Sequence, residues 1–261
     1  MAEVDPNVPS IARVYDYLLG GKDNFAADWE LAEKLIAIYP PLAEMMSANR
    51  TFVARAVTWV ASQGIDQFID LGAGLPTAPN TQETAQVVVP SARVVYVDRD
   101  PVVISRLNEV AAKPGSGVAV LDGDVWQPQA IMSDPVVTGH VDLSRPVCAI
   151  MAMLLHFLDA PTARQLVRDY AATLPPGSFL VLTIGRGEGE VADRTRTTYS
   201  SQGPAELKNH SPAEFAEFFA GLDIVPPGIG QAQELRPGLP EIPPSPQRAA
   251  QVLVGIARVP G

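Results

Sequence analysis

The sequence predicts an α/β protein with a doubly wound sheet of mostly parallel strands. From residue 65 onward, continuous apolar runs alternate with stretches of helical character. Strands that are buried on both faces read as continuous apolar runs, which is typical of a parallel sheet covered by helices. Hydrophobic residues make up 47% of the 261 residues, enough for one large core. We therefore expect one compact domain, in which residues 1–64 form a helical cap over a core at 65–261.

Three helices are expected in the cap. Ser10 is a suitable N-cap for the first helix, and the pair Gly20–Gly21 ends it because glycine reaches left-handed backbone angles at little cost. The prolines at 40 and 41 stop the second helix, and Gly64 closes the third. The expected helices run from residue 11 to the glycine pair, from 25 to 38 and from 42 to 62.

Strands and helices alternate through the first part of the core. Asn80 and Glu83 have capping-box spacing, which predicts the start of a helix after the first strand. The expected strands are QFIDLG, ARVVYVD, VAVLDGDV, PVCAIMAMLLHFL and SFLVLTIG, and the expected helices between them include PVVISRLNEVAAK and PTARQLVRDYAATL.

The last part of the chain departs from this rhythm. Residues 185–210 are polar and rich in glycine, so we expect a long excursion over the carboxyl edge of the sheet. Ser211 and Glu214 then have capping-box spacing for a short helix to residue 220. A strand near LDIVP, a proline-rich connector at 236–246 and a final strand QVLVGIARV complete the prediction.

Charge and composition exclude several classes of function. The net charge of −10 is opposite in sign to what a nucleic-acid binder needs, so nucleic acid is not expected as a partner. Cys148 is the only cysteine, and the three histidines are not spaced as ligands on one helix turn, so no metal site is expected.

Membrane association is not expected either. The N-terminal sequence MAEVDPNVPS has neither a cationic region nor an apolar region of a signal peptide. No apolar run reaches the about 18 to 20 residues that a membrane span requires. We therefore expect a cytoplasmic protein.

Polar residues follow the first two strands where a ligand would bind. In a doubly wound sheet the ligand lies beyond the carboxyl ends of the strands, and the loop Gly72-Ala73-Gly74 and Asp98 lie at those ends. The glycines allow close approach of the backbone, and Asp98 can accept hydrogen bonds from a ribose diol. Asp98 could alternatively be an acid that caps a turn. The pattern favours a nucleoside site.

The type of nucleoside follows from a missing glycine. A dinucleotide fingerprint needs a third small residue where this chain has Thr77, and the separation from Gly72 to Asp98 is 26 residues rather than roughly 20. The longer loop, preceded by Asp70, suits a cationic amino-acid tail better than a diphosphate. These features indicate S-adenosylmethionine, with Asp70 holding the ammonium through water or orienting the loop.

The third strand end adds an acid with two possible roles. Asp124 could accept from the adenine amino group while the Val125 N–H donates to a ring nitrogen, or it could cap the turn at 122–124. Asp100, directly before Pro101, is interpreted as the N-cap of the following helix.

Several segments together resemble a known family, an actinobacterial family of S-adenosylmethionine-dependent methyltransferases long catalogued as a domain of unknown function. The resemblance rests on PSIARVYDYLLGGKDNFAAD, NRTFVARAV, IDQFIDLGAGLPT, ARVVYVDRDPVV, GDVWQP and LLHFL. It implies a class I methyltransferase fold with seven strands, the last one antiparallel, and an N-terminal helical cap. The chain departs from the family pattern at Gln82, where a histidine is expected, and at Arg99, which could lie against the adenine face.

The resemblance directs attention to further candidates in the cap and at the fourth strand. Tyr17, Lys22 and Asn24 flank a glycine hinge and could form a lid over the methionine moiety, with the Lys22 ammonium on its carboxylate. Met151 lies near the end of the fourth strand, where similar enzymes use backbone carbonyls to hold the ammonium. His156 is the candidate general base, and the alternative interpretation is a structural histidine at a helix start, hydrogen-bonded in the core.

Three functions remain open at this stage. The first is SN2 transfer of a methyl group from S-adenosylmethionine, leaving S-adenosylhomocysteine, to an oxygen or nitrogen of a small-molecule acceptor. The second is a protein that binds and senses S-adenosylmethionine without turnover. The third is an NAD-dependent oxidoreductase, which Thr77 in the third glycine position argues against.

Overall fold

The computed structural model describes residues 4–186, 189–238 and 252–261. Within these ranges the strands are β1 (Gln67–Leu71), β2 (Arg93–Asp98), β3 (Val118–Asp122), β4 (Cys148–Ala152), β5 (Phe179–Gly185), β6 (Asp223–Ile224), β7 (Gly230–Gln231) and β8 (Val252–Arg258). The helices are α1 (Ile11–Leu18), α2 (Ala26–Ile38), α3 (Leu42–Ser62), α4 (Thr81–Val88), α5 (Pro101–Ala111), α6 (Pro128–Ser133), α7 (Pro135–His140), α8 (Ala160–Thr173), α9 (Glu190–Gln202) and α10 (Pro212–Glu217).

The sheet has the predicted class and the predicted strand directions. Its order is β3-β2-β1-β4-β5-β8-β6, with β7 paired to β8. Strands β1 to β5 pair in parallel, and β8 runs antiparallel to β5, as predicted. The described strands number eight rather than seven because β7, a two-residue strand, adds to the edge. The chain leaves β1 toward β2 on one side and returns to β4 on the other, so the switch point lies beyond the ends of β1 and β4.

The three predicted cap helices are confirmed, with one correction at a cap. Helices α1, α2 and α3 begin and end within two residues of the expected positions. The Ser10 side chain does not cap α1, however, because its hydroxyl donates to the carboxylate of Asp100 instead. Asp100 caps α5 as predicted, accepting a hydrogen bond from the Val102 N–H at 2.8 Å.

The predicted excursion at 185–210 was wrong in part, because it contains helix α9. Tyr199 is the one residue of α9 that is buried, so this helix carries almost no apolar periodicity in the sequence. The helices at Asn80 and Ser211 do begin with the predicted capping boxes. The proline-rich connector at 236–246 lies outside the described residues beyond position 238.

Two apolar layers cover the faces of the sheet, and a third cluster joins the cap to α9. The third cluster contains Val14, Leu18, Leu31, Ala32, Leu35, Leu42, Met46 and Tyr199. Helix α3 contributes to the third cluster through Leu42 and Met46 and to one of the sheet layers through Phe52, Val57 and Val60. The cap is therefore fixed to the sheet by α3 and to α9 by side chains. None of the described helices is long and apolar enough to cross a bilayer.

Candidate functional site

The glycine loop after β1 has the geometry that its sequence predicts. Gly72 and Gly74 have φ angles of +71° and +66°, which side-chain-bearing residues rarely adopt. A Cβ at Gly72 would lie 3.0 Å from Cδ1 of Leu154. The N–H groups of Gly72 and Ala73 donate to the Val97 carbonyl at 2.9 and 3.1 Å, which ties the loop to β2.

Asp98 organises the turn at the end of β2. Its Oδ2 accepts from the Gly74 N–H at 2.9 Å, and its Oδ1 accepts from the N–H groups of Arg99 and Asp100 at 2.8 and 3.0 Å. Burial raises the pKa of Asp98, and these three hydrogen bonds offset part of that effect. The carboxylate thus joins the glycine loop to the start of α5 and keeps lone-pair capacity for a ligand hydroxyl.

Asp70 is a buried acid near the end of β1. It is 6% exposed, and its Oδ2 accepts from the Thr81 hydroxyl at 2.6 Å. Burial raises the pKa of Asp70 to about 6, against the lowering effects of the Thr81 hydrogen bond and of Arg50. An acid held in this state favours a cation beside it, because a nearby positive charge stabilises the carboxylate.

A cavity of about 380 Å³ opens between these strand ends and the cap. The predicted residues that line it are Asp70, Gly72, Ala73, Gly74, Asp98, Arg99 and Val125. The opposite wall is formed by Pro9, Ser10, Ile11, Ala12 and Tyr15 from the start of the cap and by Asn49, Arg50 and Val53 from α3. The structure therefore brings together seven of the predicted ligand-binding residues and encloses them with the cap.

The predicted lid residues lie elsewhere. Tyr17, Lys22 and Asn24 are not among the described residues that line this cavity, which is the larger of two. The Tyr17 hydroxyl donates to Glu33 Oε1 at 2.6 Å, the Asn24 amide donates to Asp16 Oδ2 at 2.8 Å, and Lys22 is exposed. The chain after α1 folds back onto Asp16, which accepts from the Asp23 N–H and from the Asn24 amide, and this segment does not line the cavity.

Asp124 and Met151 also stand back from the cavity. Asp124 accepts from the Trp126 N–H at 3.1 Å and so serves the turn after β3, while Val125 lines the cavity. Met151 is fully buried in the core, and its neighbours Ala152 and Met153 line the cavity instead. Met153 has a φ of 54°, and its N–H donates to both oxygens of Thr183.

None of the residues of the cap wall was predicted to bind the ligand, and Tyr15, Asn49 and Arg50 are among them. The Tyr15 hydroxyl accepts from Asn49 Nδ2 at 2.9 Å and donates to the Met46 carbonyl at 3.2 Å. Arg50 donates to the Thr77 carbonyl at 2.6 Å and so connects α3 to the glycine loop. The sequence held one signal for Tyr15: it lies four residues after Ile11, so both face the same side of α1.

A second, smaller cavity of about 220 Å³ adjoins the first. Ile11, Tyr15, Met153 and Phe157 line both cavities. The remaining walls of the smaller cavity come from all three cap helices, the turn at Leu155–Phe157, α9 and the segment at 207–209. The cap and α9 thus enclose a mainly apolar space next to the strand-end cavity.

His156 lines the smaller cavity from the turn after β4. Its ring is 7% exposed, and Nδ1 has no hydrogen-bond partner among the described residues. Burial, together with the nearby His210, lowers the pKa of His156 to about 3, so the ring is neutral at ordinary pH. The described residues contain no group of three His, Cys, Asp or Glu side chains that could hold a metal ion.

The larger cavity fits a nucleoside with a cationic tail. Left-handed glycines leave room for a ligand at the backbone, and two acids face the space where the ends of β1 and β2 meet. The N-terminus of α4 is capped by Asn80 and Glu83, so it does not present free N–H groups as a pyrophosphate cradle would. S-adenosylmethionine has the ribose and the cationic tail that this arrangement can hold.

Solved structures similar to this chain include two with high coverage. A protein of Thermobifida fusca YX, named provisionally as a methyltransferase, is 36% identical, with a TM-score of 0.89 over 98% of this chain and 96% of that one. A DUF574 family protein of Streptomyces avermitilis MA-4680 is 35% identical, with a TM-score of 0.91 over 99% of this chain and 100% of that one.

A more distant structure shows the fold alone. The N-methyltransferase NodS of Bradyrhizobium japonicum WM9, in complex with S-adenosylhomocysteine, is 14% identical, with a TM-score of 0.50 over 95% of this chain and 100% of that one. A comparison with curated proteins found no match.

The family model described as S-adenosyl methyltransferase matches residues 1–260. Because this model covers nearly the whole chain, the chain belongs to the S-adenosyl methyltransferase family, and its cofactor is S-adenosylmethionine.

Proposed function

We propose that the chain transfers a methyl group from S-adenosylmethionine in the larger cavity to an oxygen or nitrogen of a small molecule in the smaller cavity. The observation that carries this proposal is the continuity of the two cavities through Ile11, Tyr15, Met153 and Phe157. A cofactor site and an acceptor site must share a boundary at which the methyl group passes. Family membership favours transfer over a sensor without turnover.

Each predicted residue of the strand-end wall has a role in this proposal. Asp98 accepts from the ribose hydroxyls, and the backbone of the glycine loop passes close to the ligand. Asp70 faces the cationic tail, whose charge favours the ionised carboxyl. The Val125 N–H donates to the adenine ring, and the Arg99 guanidinium lies against the adenine face.

The chemistry needs little from the protein beyond position and dryness. S-adenosylmethionine supplies an electrophilic methyl group: the acceptor lone pair forms the new bond to carbon, sulfur keeps the electron pair of the broken bond, and the acceptor releases its proton. The chain holds the two partners in line and excludes water, which favours a reaction that quenches a positive charge. His156, beside the acceptor space, is the candidate general base; because its pKa is lowered to about 3, it is a weak base and passes the proton on to solvent rather than keeping it.

Calorimetry tests the cofactor site. S-adenosylhomocysteine is expected to bind the full chain, and Asp98→Ala is expected to weaken it about 100-fold, because hydrogen bonds to a charged acceptor contribute about 1.5–3 kcal/mol each. Asp134→Ala is the matched control, since Asp134, like Asp98, accepts a backbone N–H bond, from Val136, but does not line either of the two cavities. Binding of NAD without binding of S-adenosylhomocysteine would overturn the proposal.

Turnover separates the enzyme from a sensor. Purified protein given methyl-labelled S-adenosylmethionine and a metabolite extract is expected to label a small organic product. Cofactor binding with no labelled product from any extract would indicate a sensor instead.

A further inference from the structure

Two buried polar atoms in the smaller cavity have no partner. His156 and Tyr199 are 7% and 8% exposed, and both line this cavity. His156 Nδ1 and the Tyr199 hydroxyl make no hydrogen bond to the described residues. Buried polar groups are nearly always paired, because leaving one unpaired costs folding free energy. Two such groups on one cavity indicate that a ligand completes them.

The two groups belong to one aromatic cluster. The rings of His156 and Phe157 have centroids 4.5 Å apart, and those of Phe157 and Tyr199 have centroids 6.1 Å apart. The imidazole is neutral, so each of its nitrogens either donates or accepts according to the tautomer. Burial raises the pKa of Tyr199, so its hydroxyl stays protonated and both donates and accepts. A ligand hydroxyl also does both, and therefore matches this pair in either tautomer.

The charges in the rest of the lining disfavour a cationic ligand. None of the described residues that line the smaller cavity is an acid, and Arg186 and Lys208 are among them. An ammonium compound would find no counter-ion here. Lys208 lies 2.5 Å from Glu206, and Arg186 also interacts with other residues, so neither cation by itself requires an anionic ligand. A neutral ligand is the best match in charge.

The shape and softness of the walls favour a ring. Met45, Met46 and Met153 line the cavity together with several aromatic side chains. Thioethers adapt to flat ligands and make favourable contacts with aromatic rings. The volume of about 220 Å³ is below the range of about 300–1,000 Å³ for drug-sized ligands. The cavity therefore suits one small planar group.

We propose that the smaller cavity binds a small neutral aromatic compound of the phenol class, whose hydroxyl is hydrogen-bonded between His156 and Tyr199. This inference rests on the proposed function, because it identifies the acceptor class of the same site. The two residues act in it as specificity-determining residues.

Binding of two simple phenols tests the proposal directly, without turnover. 2-Naphthol and the smaller 4-methylphenol are titrated into the full chain, with and without S-adenosylhomocysteine, against naphthalene and toluene as hydroxyl-free counterparts. At least one phenol is expected to bind about fivefold to tenfold more tightly than its counterpart, the effect of one or two net hydrogen bonds. Hexylamine is expected not to bind.

Three variants assign the effect to the two residues. Tyr199→Phe and His156→Leu are each expected to weaken the phenol about fivefold while leaving the melting temperature unchanged or raised, because each removes an unpaired buried group. His156→Asn, which keeps a polar atom near the position of Nδ1, is expected to retain part of the affinity. Tyr170→Phe is the matched control: its hydroxyl is paired with the Val125 carbonyl at 2.9 Å, so this variant should lose stability and keep phenol affinity within twofold.

Two results would overturn the inference. One is equal binding, or no binding, of both phenols and their hydroxyl-free counterparts. The other is a loss of stability in Tyr199→Phe like that in Tyr170→Phe, with phenol affinity unchanged. Binding of S-adenosylhomocysteine in the same titrations and labelling of a product in the turnover assay report separately on the proposed function.

Discussion

One buried carboxylate, Asp28, lies behind the cap wall of the larger cavity and another, Asp70, lines its strand-end wall, and the two are held in opposite ways. In the cap, Asp28 accepts from the Arg13 guanidinium and from the N–H groups of Ser10 and Phe25, each at 2.8 Å. At the strand ends, the Asp70 side chain accepts from the Thr81 hydroxyl, and burial raises its pKa to about 6. Asp28 thus serves the fold, whereas Asp70 is kept at a cost to stability, as is common for functional groups.

The largest expected effect is on the cap wall. Asp28→Ala leaves the Arg13 charge buried without its partner, and breaking such a pair costs about 3–5 kcal/mol. The free energy of unfolding in urea measures this loss. Because Arg13 also donates to the Val8 carbonyl at 2.6 Å, the segment at 8–12 should loosen, and affinity for S-adenosylhomocysteine should fall.

The double variant Arg13→Met/Asp28→Leu is the control for this prediction. It removes both charges together, so it should recover much of the lost stability relative to the single variant. An Asp28→Ala protein as stable as the parent would show that this pair does not hold the cap wall.

The stability contributed by the strand-end wall should depend on pH. An unfolded aspartate has a pKa of about 3.9, so the raised pKa of Asp70 gives the fold a contribution that is full below about pH 4 and lost as pH rises through about 6. Asp70→Asn does not titrate. It should be less stable than the parent by about 1 kcal/mol at pH 4, through the altered Thr81 contact, and more stable by about 2 kcal/mol at pH 8.

Urea unfolding at both pH values checks this sign change, and cofactor affinity provides the second readout. Asp70→Asn should weaken S-adenosylhomocysteine, whose ammonium loses a carboxylate. A stability difference that does not change between pH 4 and pH 8 would contradict the assigned pKa shift.

The contrast between the two walls also explains which parts of the site could be predicted from the sequence. Gly72, Gly74 and Asp98 act through backbone neighbours at strand ends, so the alternation of strands and helices was enough to bring them together. The bounds of α1 were predictable in the same local way. The side of α1 that meets the cavity was not, because Asp28 and Asp100 fix it through contacts 15 and 90 residues apart.

That orientation is why Tyr17, Lys22 and Asn24 were chosen in place of Tyr15. Tyr17 lies two residues after Tyr15, which on a helix is nearly the opposite side. Helix α9 was missed for a related reason, since a helix whose contact with the core is made by Tyr199 leaves little periodic signal. The smaller cavity depends on both elements, so the sequence indicated only which segments would enclose it.

Tyr15 offers the smallest and most selective test, because it lies on both cavities. Its hydroxyl accepts from Asn49, which lines the larger cavity only, whereas Tyr15 itself lines both. Tyr15→Phe releases Asn49 from this hydrogen bond, so it should weaken S-adenosylhomocysteine about fivefold through the displaced Asn49 side chain and leave 2-naphthol within twofold. Tyr15→Leu removes the ring and should weaken both ligands. Calorimetry on both variants and on Tyr17→Phe distinguishes the two tyrosines. The Tyr17 hydroxyl is bonded to Glu33 rather than to any residue of the cavity wall, so Tyr17→Phe should keep its cofactor affinity. A loss of cofactor affinity in Tyr17→Phe alone would support the predicted lid instead.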